Sequence, residues 1–246
     1  MLNHYRASFS TLRGAHALRE KLFDYRRQHD AKAAQSVGKG VWLVGDDGDP
    51  QRLDHFLQVL SQHEIEIYAL NQAQEVAGQR FTPGHAYAIP RQQAQALLVE
   101  ALFSKPTQFA DESFYDVSAF TLALAYDLPH ARLDKALSLD ERYRVRPMQP
   151  AELPEALAYV IPWGQMRAPG FMQQALTAGL KLRIASEPVR LQTTDGPRDL
   201  SRGSLLIATS LQDDPETLAQ RLSYLQRYYP VEILPITQGR ALSGPD

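Results

Sequence analysis

The chain contains no cysteine. This excludes disulfides, thiolate nucleophiles, and zinc or iron–sulfur centres that are held by cysteine. No stretch approaches the roughly 20 consecutive apolar residues that a membrane-spanning helix needs. The first ten letters, MLNHYRASFS, also lack the apolar segment of a secretory signal. The sequence therefore predicts a soluble protein and leaves its compartment open.

Charge of one sign is not in excess either. Lys and Arg number 26 against 28 Asp and Glu, which gives a formal net charge of −2. Such a chain has no overall field that would gather nucleic acid or an anionic membrane, so neither is expected as a partner. With 246 residues, 44% of them hydrophobic, the chain is long and apolar enough to bury a substantial core.

The first 37 residues predict a helical segment that precedes the main domain. Between Ser8 and Ala34, apolar residues recur at mostly helical spacings, and basic residues lie between them. Because such a helix cannot form a core alone, we expect it to pack against its own domain or a preceding one.

Residues 38–246 predict two similar halves. The elements run strand, helix, strand, excursion, strand and helix in 38–127, beginning with a strand at Val41–Val44 and a helix at Pro50–Gln62. The same order returns in 156–246, beginning with a strand at Ala158–Ile161. The run beginning at Gly84 corresponds to that beginning at Gly203, and 128–155 would connect the halves. The alternation predicts an α/β fold in one domain: a three-layer, doubly wound, mostly parallel sheet built from two pseudo-repeats.

Between the halves, the stretch DESFYDVSAFTLALAYDL predicts a buried helix from Val117 to Tyr126. Asp116 or Ser118 would cap it, and this interpretation is favoured over a catalytic pair. Together with Tyr115, these two residues are candidates for a ligand or interface site.

A turn rich in acids, Asp46-Asp47-Gly48-Asp49, follows the first strand, where α/β folds place ligands. Asp46 and Asp47 are therefore candidate ligand residues, and the cluster could hold magnesium through oxygen. The structural alternative is favoured, because Asp49 before Pro50 is a typical helix start.

Catalytic motifs are scarce. None of the seven histidines begins an HExxH pattern, and GxSxG, GxGxxG and Walker patterns are absent. Ser210 is the only hydroxyl on a suitable strand-to-helix turn, and it lacks the flanking glycines. Trp163 would line a pocket or an interface, or simply pack in the core. No catalytic or metal-binding residue is assigned.

A family resemblance rests on the run HAYAIPRQQAQALLVEALF from His85, on Phe114 to Leu122, and on the leading helix TLRGAHALREKL. These segments resemble the region after the catalytic domain in large bacterial zinc-carboxypeptidase-like proteins. The resemblance covers nearly the whole chain, although Phe120 stands where that family has tryptophan.

The resemblance implies a class I glutamine-amidotransferase-like domain without its nucleophile, since no cysteine is present. It further implies a non-catalytic accessory or substrate-binding domain whose peptidase domain lies in cis and alone holds zinc. Peptide or cell-wall fragments would be its ligands, and a signal peptide on the parent would make it periplasmic or secreted. The alternatives are a stand-alone small-molecule or peptide-binding module, or a hydrolase that uses Asp116 and Ser118.

Overall fold

A computed structural model describes residues 2–105, 121–145 and 152–244. The protein is of mixed α/β type. It divides into two compact units: the first takes its described residues from Met1–Asp47 and Phe56–Arg144, and the second from Gly48–His55 and Val145–Asp246. In these described ranges, no helix is both long enough and apolar enough to cross a membrane.

The first unit begins with helices α1 (Leu2–Ala17) and α2 (Arg19–Ser36), which divide at Leu18 where one continuous helix was predicted. Apart from Ala33, no residue of either helix is buried. The large apolar residues of α1 are exposed at Leu2, Tyr5, Phe9 and Leu12. Because these positions recur at helical spacing, they form an exposed apolar stripe.

The rest of the first unit contains a four-stranded sheet, a small hairpin and three helices. Its elements are β1 (Val41–Gly45), the part of α3 (Pro50–Gln62) from Phe56 onward, β2 (Tyr68–Ala69), β3 (Gln74–Val76), β4 (Gln79–Phe81), β5 (Ala86–Pro90), α4 (Ala96–Phe103), α5 (Leu122–Ala125) and β6 (His130–Leu133). The sheet order is β2-β5-β1-β6, and β3 pairs with β4 separately. Strand β6 lies inside the segment that the sequence assigned to a connector.

The second unit contains a six-stranded sheet and two helices. Its elements are β7 (Ala158–Ile161), α6 (Ala168–Thr177), β8 (Arg183–Ile184), β9 (Val189–Thr193), β10 (Gly196–Leu200), β11 (Leu205–Ala208), α7 (Leu218–Gln226) and β12 (Leu234–Ile236). The sheet order is β10-β9-β12-β7-β11-β8.

The two units share one topology. The first sheet has the order β2-β5-β1-β6. Four consecutive strands of the second sheet, counted from its β8 edge, have the order β8-β11-β7-β12, which is the same succession of equivalent strands. In each unit a hairpin, β3–β4 or β9–β10, is inserted after the second strand. Without that hairpin, each unit is a β-α-β-β-α-β arrangement of the split type.

This topology corrects the predicted parallel sheet. Every ladder between the described strands is antiparallel, and the strands form two main sheets rather than one. Strands β1 and β2 run in the same direction on either side of α3, but β5 lies between them and pairs with both. A strand-helix-strand pattern predicts that its two strands run in the same direction, but it does not predict that they are neighbours in the sheet. It therefore also fits the split arrangement, in which another strand lies between them.

Strand β7 shows how both faces of the second sheet become apolar. All four of its residues are buried. Tyr159 and Ile161 pack with α6 and α7, whereas Ala158 and Val160 point to the opposite face, where they meet Leu200 of the hairpin. Alternation along a strand requires this division of its side chains. We call the two sides the helix face and the hairpin face.

Tyr159 lies on the helix face with only 1% of its surface exposed, and its hydroxyl donates to the Pro154 carbonyl at 2.7 Å. Burial raises the pKa of this phenol. Because the pKa of Tyr159 is higher in the folded protein than in the unfolded chain, the neutral phenol stabilises the fold at any pH below the unfolded-state pKa. This contribution is lost as the pH rises through the folded-state pKa.

We therefore expect Tyr159→Phe to cost about 1 kcal/mol at pH 7, because one hydrogen bond is lost. The difference between wild type and variant should shrink above about pH 10, where a free tyrosine ionises. Urea unfolding of both proteins at pH 7 and pH 11 measures this. A difference that grows with pH would contradict the assignment.

Candidate functional site

Asp46, a predicted ligand residue, lies at the end of β1 in the first unit. Its side chain is only 7% exposed, and its Oδ2 lies 3.0 Å from Nδ1 of His85, whose side chain is 68% exposed. The antiparallel register of β1 with β5 brings the two together, since Gly45 pairs with Ala86 and the Asp46 amide donates to the His85 carbonyl. A carboxylate that orients an exposed imidazole can act as an acid–base pair.

The other two acids of this turn have different surroundings. Asp47 is exposed. Asp49 is buried, and its Oδ1 accepts from the Arg52 amide at 3.2 Å, so it caps α3 as the sequence predicted. Its Oδ2 accepts from the Met166 amide at 2.7 Å within the second unit. Both carboxylate oxygens of Asp49 thus accept from backbone amides, which is the structural role that the sequence favoured.

In the first unit, a buried cation lies at the end of β5. The Arg91 guanidinium donates to both carboxylate oxygens of Glu100, at 2.6 and 3.0 Å, and the Trp42 indole donates to the same carboxylate at 3.1 Å. The hydrogen bonds to Glu100 raise the pKa of Arg91 against the opposing effect of burial. Because the charge is already matched by a bidentate partner, this arginine serves the fold and is not an anion site.

Trp163, the remaining described candidate, is half-buried and packs against the core on the helix face of the second unit. Its ring covers Gly203, where an added Cβ would come within 3.0 Å of Cδ1. The indole therefore occupies the space that a side chain at position 203 would need. This geometry matches the packing interpretation. Tyr115, Asp116 and Ser118 lie outside the described residues. In the described part of their predicted helix, α5 spans only Leu122–Ala125; Ala123 is buried there, but Leu124 is exposed, so burial is not uniform as predicted.

The hairpin face of the second unit holds a cavity of about 700 Å³. Its floor is the sheet, through Ala158, Val160, Leu206, Ala208 and Ile236, and the hairpin contributes Val189, Leu191 and Leu200. Small and branched apolar residues on neighbouring strands make this floor apolar. A cavity of this size and lining suits apolar side chains or a small apolar ligand.

Polar groups surround this apolar floor. Arg183 and Arg240 are exposed at its margin, and Ser186 and Ser210 add hydroxyls. Two further hydroxyls are already used as donors: Ser204 bonds to the Ser201 carbonyl at 2.8 Å. Thr209 bonds to the Ala156 carbonyl at 2.7 Å. A ligand with an apolar body and an anionic group therefore fits the cavity best.

The cavity was not found from the sequence, although Ser210 had been singled out as a hydroxyl. Strand β7 carried the signal for it. All four residues of β7 are apolar, so both faces of the sheet are apolar there, whereas the helices α6 and α7 cover only one face. Which face the hairpin would cover is decided by antiparallel pairing, which the sequence did not reveal.

The described residues contain no cluster of three or more histidine, aspartate or glutamate side chains placed to hold a metal ion. The site that they do present is the apolar cavity on the hairpin face of the second unit. In the comparisons with known proteins, no family model matches this chain, and no curated protein or solved structure is significantly similar to it.

Proposed function

We propose that this chain is a non-catalytic binding module whose second unit binds peptide in the cavity on its hairpin face. The observation that carries the proposal is the 700 Å³ apolar cavity with arginines at its margin. Apolar side chains would occupy the floor, and carboxylates of the ligand would lie near Arg183 and Arg240. Binding sites of this kind combine apolar area with a few polar groups that set orientation.

We further propose that the module is an accessory domain of a zinc carboxypeptidase-like protein, whose catalytic domain supplies the zinc. Supporting this, the segments from His85 and from Phe114 resemble the region after such a catalytic domain. The parallel amidotransferase-like sheet does not enter the proposal, because the described ladders are antiparallel. Sequencing the gene upstream of Met1 tests the parentage: an open frame that encodes HxxE and a later histidine is expected, and a stop codon would overturn it.

Binding in the cavity is tested with 8-anilinonaphthalene-1-sulfonate, a dye that combines an apolar body with an anionic group. Its fluorescence should rise with wild-type protein. Leu206→Asp should weaken binding by about tenfold or more, because a negative charge replaces a partly buried apolar side chain of the floor and repels the sulfonate of the dye.

The matched control is Leu176→Asp, which places the same charge at an exposed leucine of α6. It should leave dye binding unchanged. Thermal unfolding of all three proteins shows that each is folded. Dye binding that is absent in the wild type, or that is equal in Leu206→Asp and wild type, would reject the cavity as a binding site.

The Asp46–His85 pair supports a second candidate function, a hydrolase in the first unit. His85 is exposed and oriented by a carboxylate, as a general base needs to be. The predicted hydroxyl partner, Ser118, lies outside the described residues. Ester hydrolysis of p-nitrophenyl acetate that disappears in His85→Gln would support this candidate, whereas equal rates would exclude the pair.

A further inference from the structure

The first unit shows what covers a hairpin face in this topology. Its own hairpin face carries Val41, Leu43, Ala86 and Ala88. The segment 134–144, which follows β6, packs Leu137 and Leu139 against this face. Since β6 lies at one edge of the sheet and β2 at the other, this segment passes across the face from edge to edge.

The same segment then adds a short strand to the outer edge of β2. Arg142 pairs with Tyr68 in antiparallel orientation. The Ala69 amide donates to the Glu141 carbonyl at 2.8 Å, and the Tyr143 amide donates to the Ile67 carbonyl at 2.8 Å. Two leucines on the face and two backbone hydrogen bonds at the edge thus hold the segment.

The cross-strand registers show which residues of the second unit are equivalent. Tyr68 pairs with Ala88 in the first unit, as Arg183 pairs with Leu206 in the second. Ile184 is therefore the equivalent of Ala69. The next residue confirms the match, because the Ala185 amide donates to Ser204 as the Leu70 amide donates to Ala86. The same registers match Ala88 with Leu206, whereas the sequence match of Gly84 with Gly203 would pair Ala88 with Ile207, one residue away.

In the second unit no described segment covers the equivalent places in this way. The segment after β12 turns to the hairpin, where the Leu242 amide donates to the Arg190 carbonyl at 2.8 Å and Ser243 pairs with Arg190. The cavity remains on the hairpin face, and β8 is the outermost strand of its sheet among the described residues. Because the backbone groups of Ala185 face β11, those of Ile184 point outward by the alternation of an antiparallel ladder.

We propose that the ligand of the second unit is an extended peptide segment that lies across the hairpin face and adds an antiparallel strand to the outer edge of β8. This inference rests on the proposed peptide-binding function and names its chemistry. The Ile184 amide and the Leu182 carbonyl are the equivalents of the Ala69 amide and the Ile67 carbonyl, so they would bond to the peptide backbone. Strand addition of this kind takes affinity from the backbone and specificity from alternate side chains.

The internal template also predicts the side chains of the ligand. Two large apolar residues separated by one residue, as in Leu137-Ser138-Leu139, would fill the cavity. Three positions after the second leucine, the ligand residue would face Arg183, because Arg142 faces Tyr68 in the template. An acid at that position would form a cross-strand ion pair with Arg183.

The probe is therefore a fluorescein-labelled peptide that copies residues 134–144 with the substitution Arg142→Glu. Its binding to the full chain is measured by fluorescence polarisation. The control peptide carries Leu137→Ser and Leu139→Ser in addition, and we expect its affinity to fall by about tenfold or more because both apolar side chains are lost. Equal binding of the two peptides would overturn the proposal.

The strand edge is tested with Ile184→Pro, which removes the outward amide while the inward ladder is kept. Ile184 is 61% exposed, and proline is tolerated on an edge strand where its nitrogen faces solvent. Affinity for the peptide should fall by about three- to tenfold, as for the loss of one hydrogen bond. The matched control Ile184→Ala keeps the amide and should bind the peptide within about twofold of wild type.

The dye experiment separates the two proposals. Dye binding with no peptide binding would overturn strand addition and leave the cavity as a binding site for other ligands. Loss of both would reject the proposed function as well. If Ile184→Pro and Ile184→Ala bind the peptide equally, the peptide does not use this edge, and the inference is wrong. Selective loss of peptide binding in Ile184→Pro, with dye binding equal to that of Ile184→Ala, supports it, because both variants lose the isoleucine side chain at the cavity.

Discussion

Gly40→Ala is expected to destabilise the first unit by about 3 kcal/mol, through backbone strain and overpacking together. Gly40 precedes β1 with φ of +120°, a conformation that L residues rarely adopt. An added Cβ would also lie 2.2 Å from the Leu133 carbonyl oxygen and 3.0 Å from the Cα of Asp134. Both neighbours are backbone atoms of the adjacent chain segment, so no side chain can rotate away to relieve the contact.

Urea unfolding followed by tryptophan fluorescence measures this effect. The chain has two tryptophans, so the substitution Trp163→Phe leaves Trp42, in the first unit, as the only one. The matched control is Gly78→Ala, where φ is +76° and no atom lies within 4 Å of the added Cβ. Its cost should be about 1 kcal/mol, from the left-handed conformation alone. Equal costs at both glycines would contradict the close contact between Gly40 and Leu133.

Phe103→Ala should cost about 4 kcal/mol, in the range for large aromatic residues removed from a core. Phe103 is 1% exposed at the end of α4. Its ring stacks on Trp42 with centroids 5.3 Å apart and meets the edge of Phe56 at 5.8 Å. Removal would leave a cavity between the helices and the sheet that these rigid rings cannot close.

The control for Phe103 is Leu97→Ala on the same helix, where the leucine is 47% exposed. It loses little buried area, so its cost should stay below about 1 kcal/mol. The same fluorescence experiment serves, because Trp42 contacts Phe103 directly. If both alanine variants unfold at the same urea concentration, Phe103 does not have the central packing role that its burial implies.

Much of the element order could be predicted from the sequence. The strand around Val41–Val44, the helix from Pro50 to Gln62 and the hydrophobic strand at Ala158–Ile161 were all expected and lie where the periodicity placed them. Local pattern is sufficient for such elements, because apolar spacing and capping act over a few residues. The short strand β6, in contrast, was assigned to a connector, since four residues give little periodic signal.

The sites were less predictable. Asp46 was expected to contribute to a ligand site, but its partner His85 could be found only from the antiparallel register of β1 and β5. Trp163 was left open between a pocket and the core, and the structure places it over Gly203. The cavity on the hairpin face is formed by residues from six strands, and no single stretch of sequence marks it.

The sequence by itself determined the alternation of strands and helices, the similarity of the two halves and the absence of cysteine chemistry. These properties depend on composition and on neighbours within about one helical turn or one strand. Tertiary structure alone decided the sheets. Hydrogen bonds between distant strands inserted β5 between β1 and β2, and made each unit antiparallel. Packing of the segments after β6 and β12 then covered one hairpin face and left a cavity on the other, although both faces are similarly apolar.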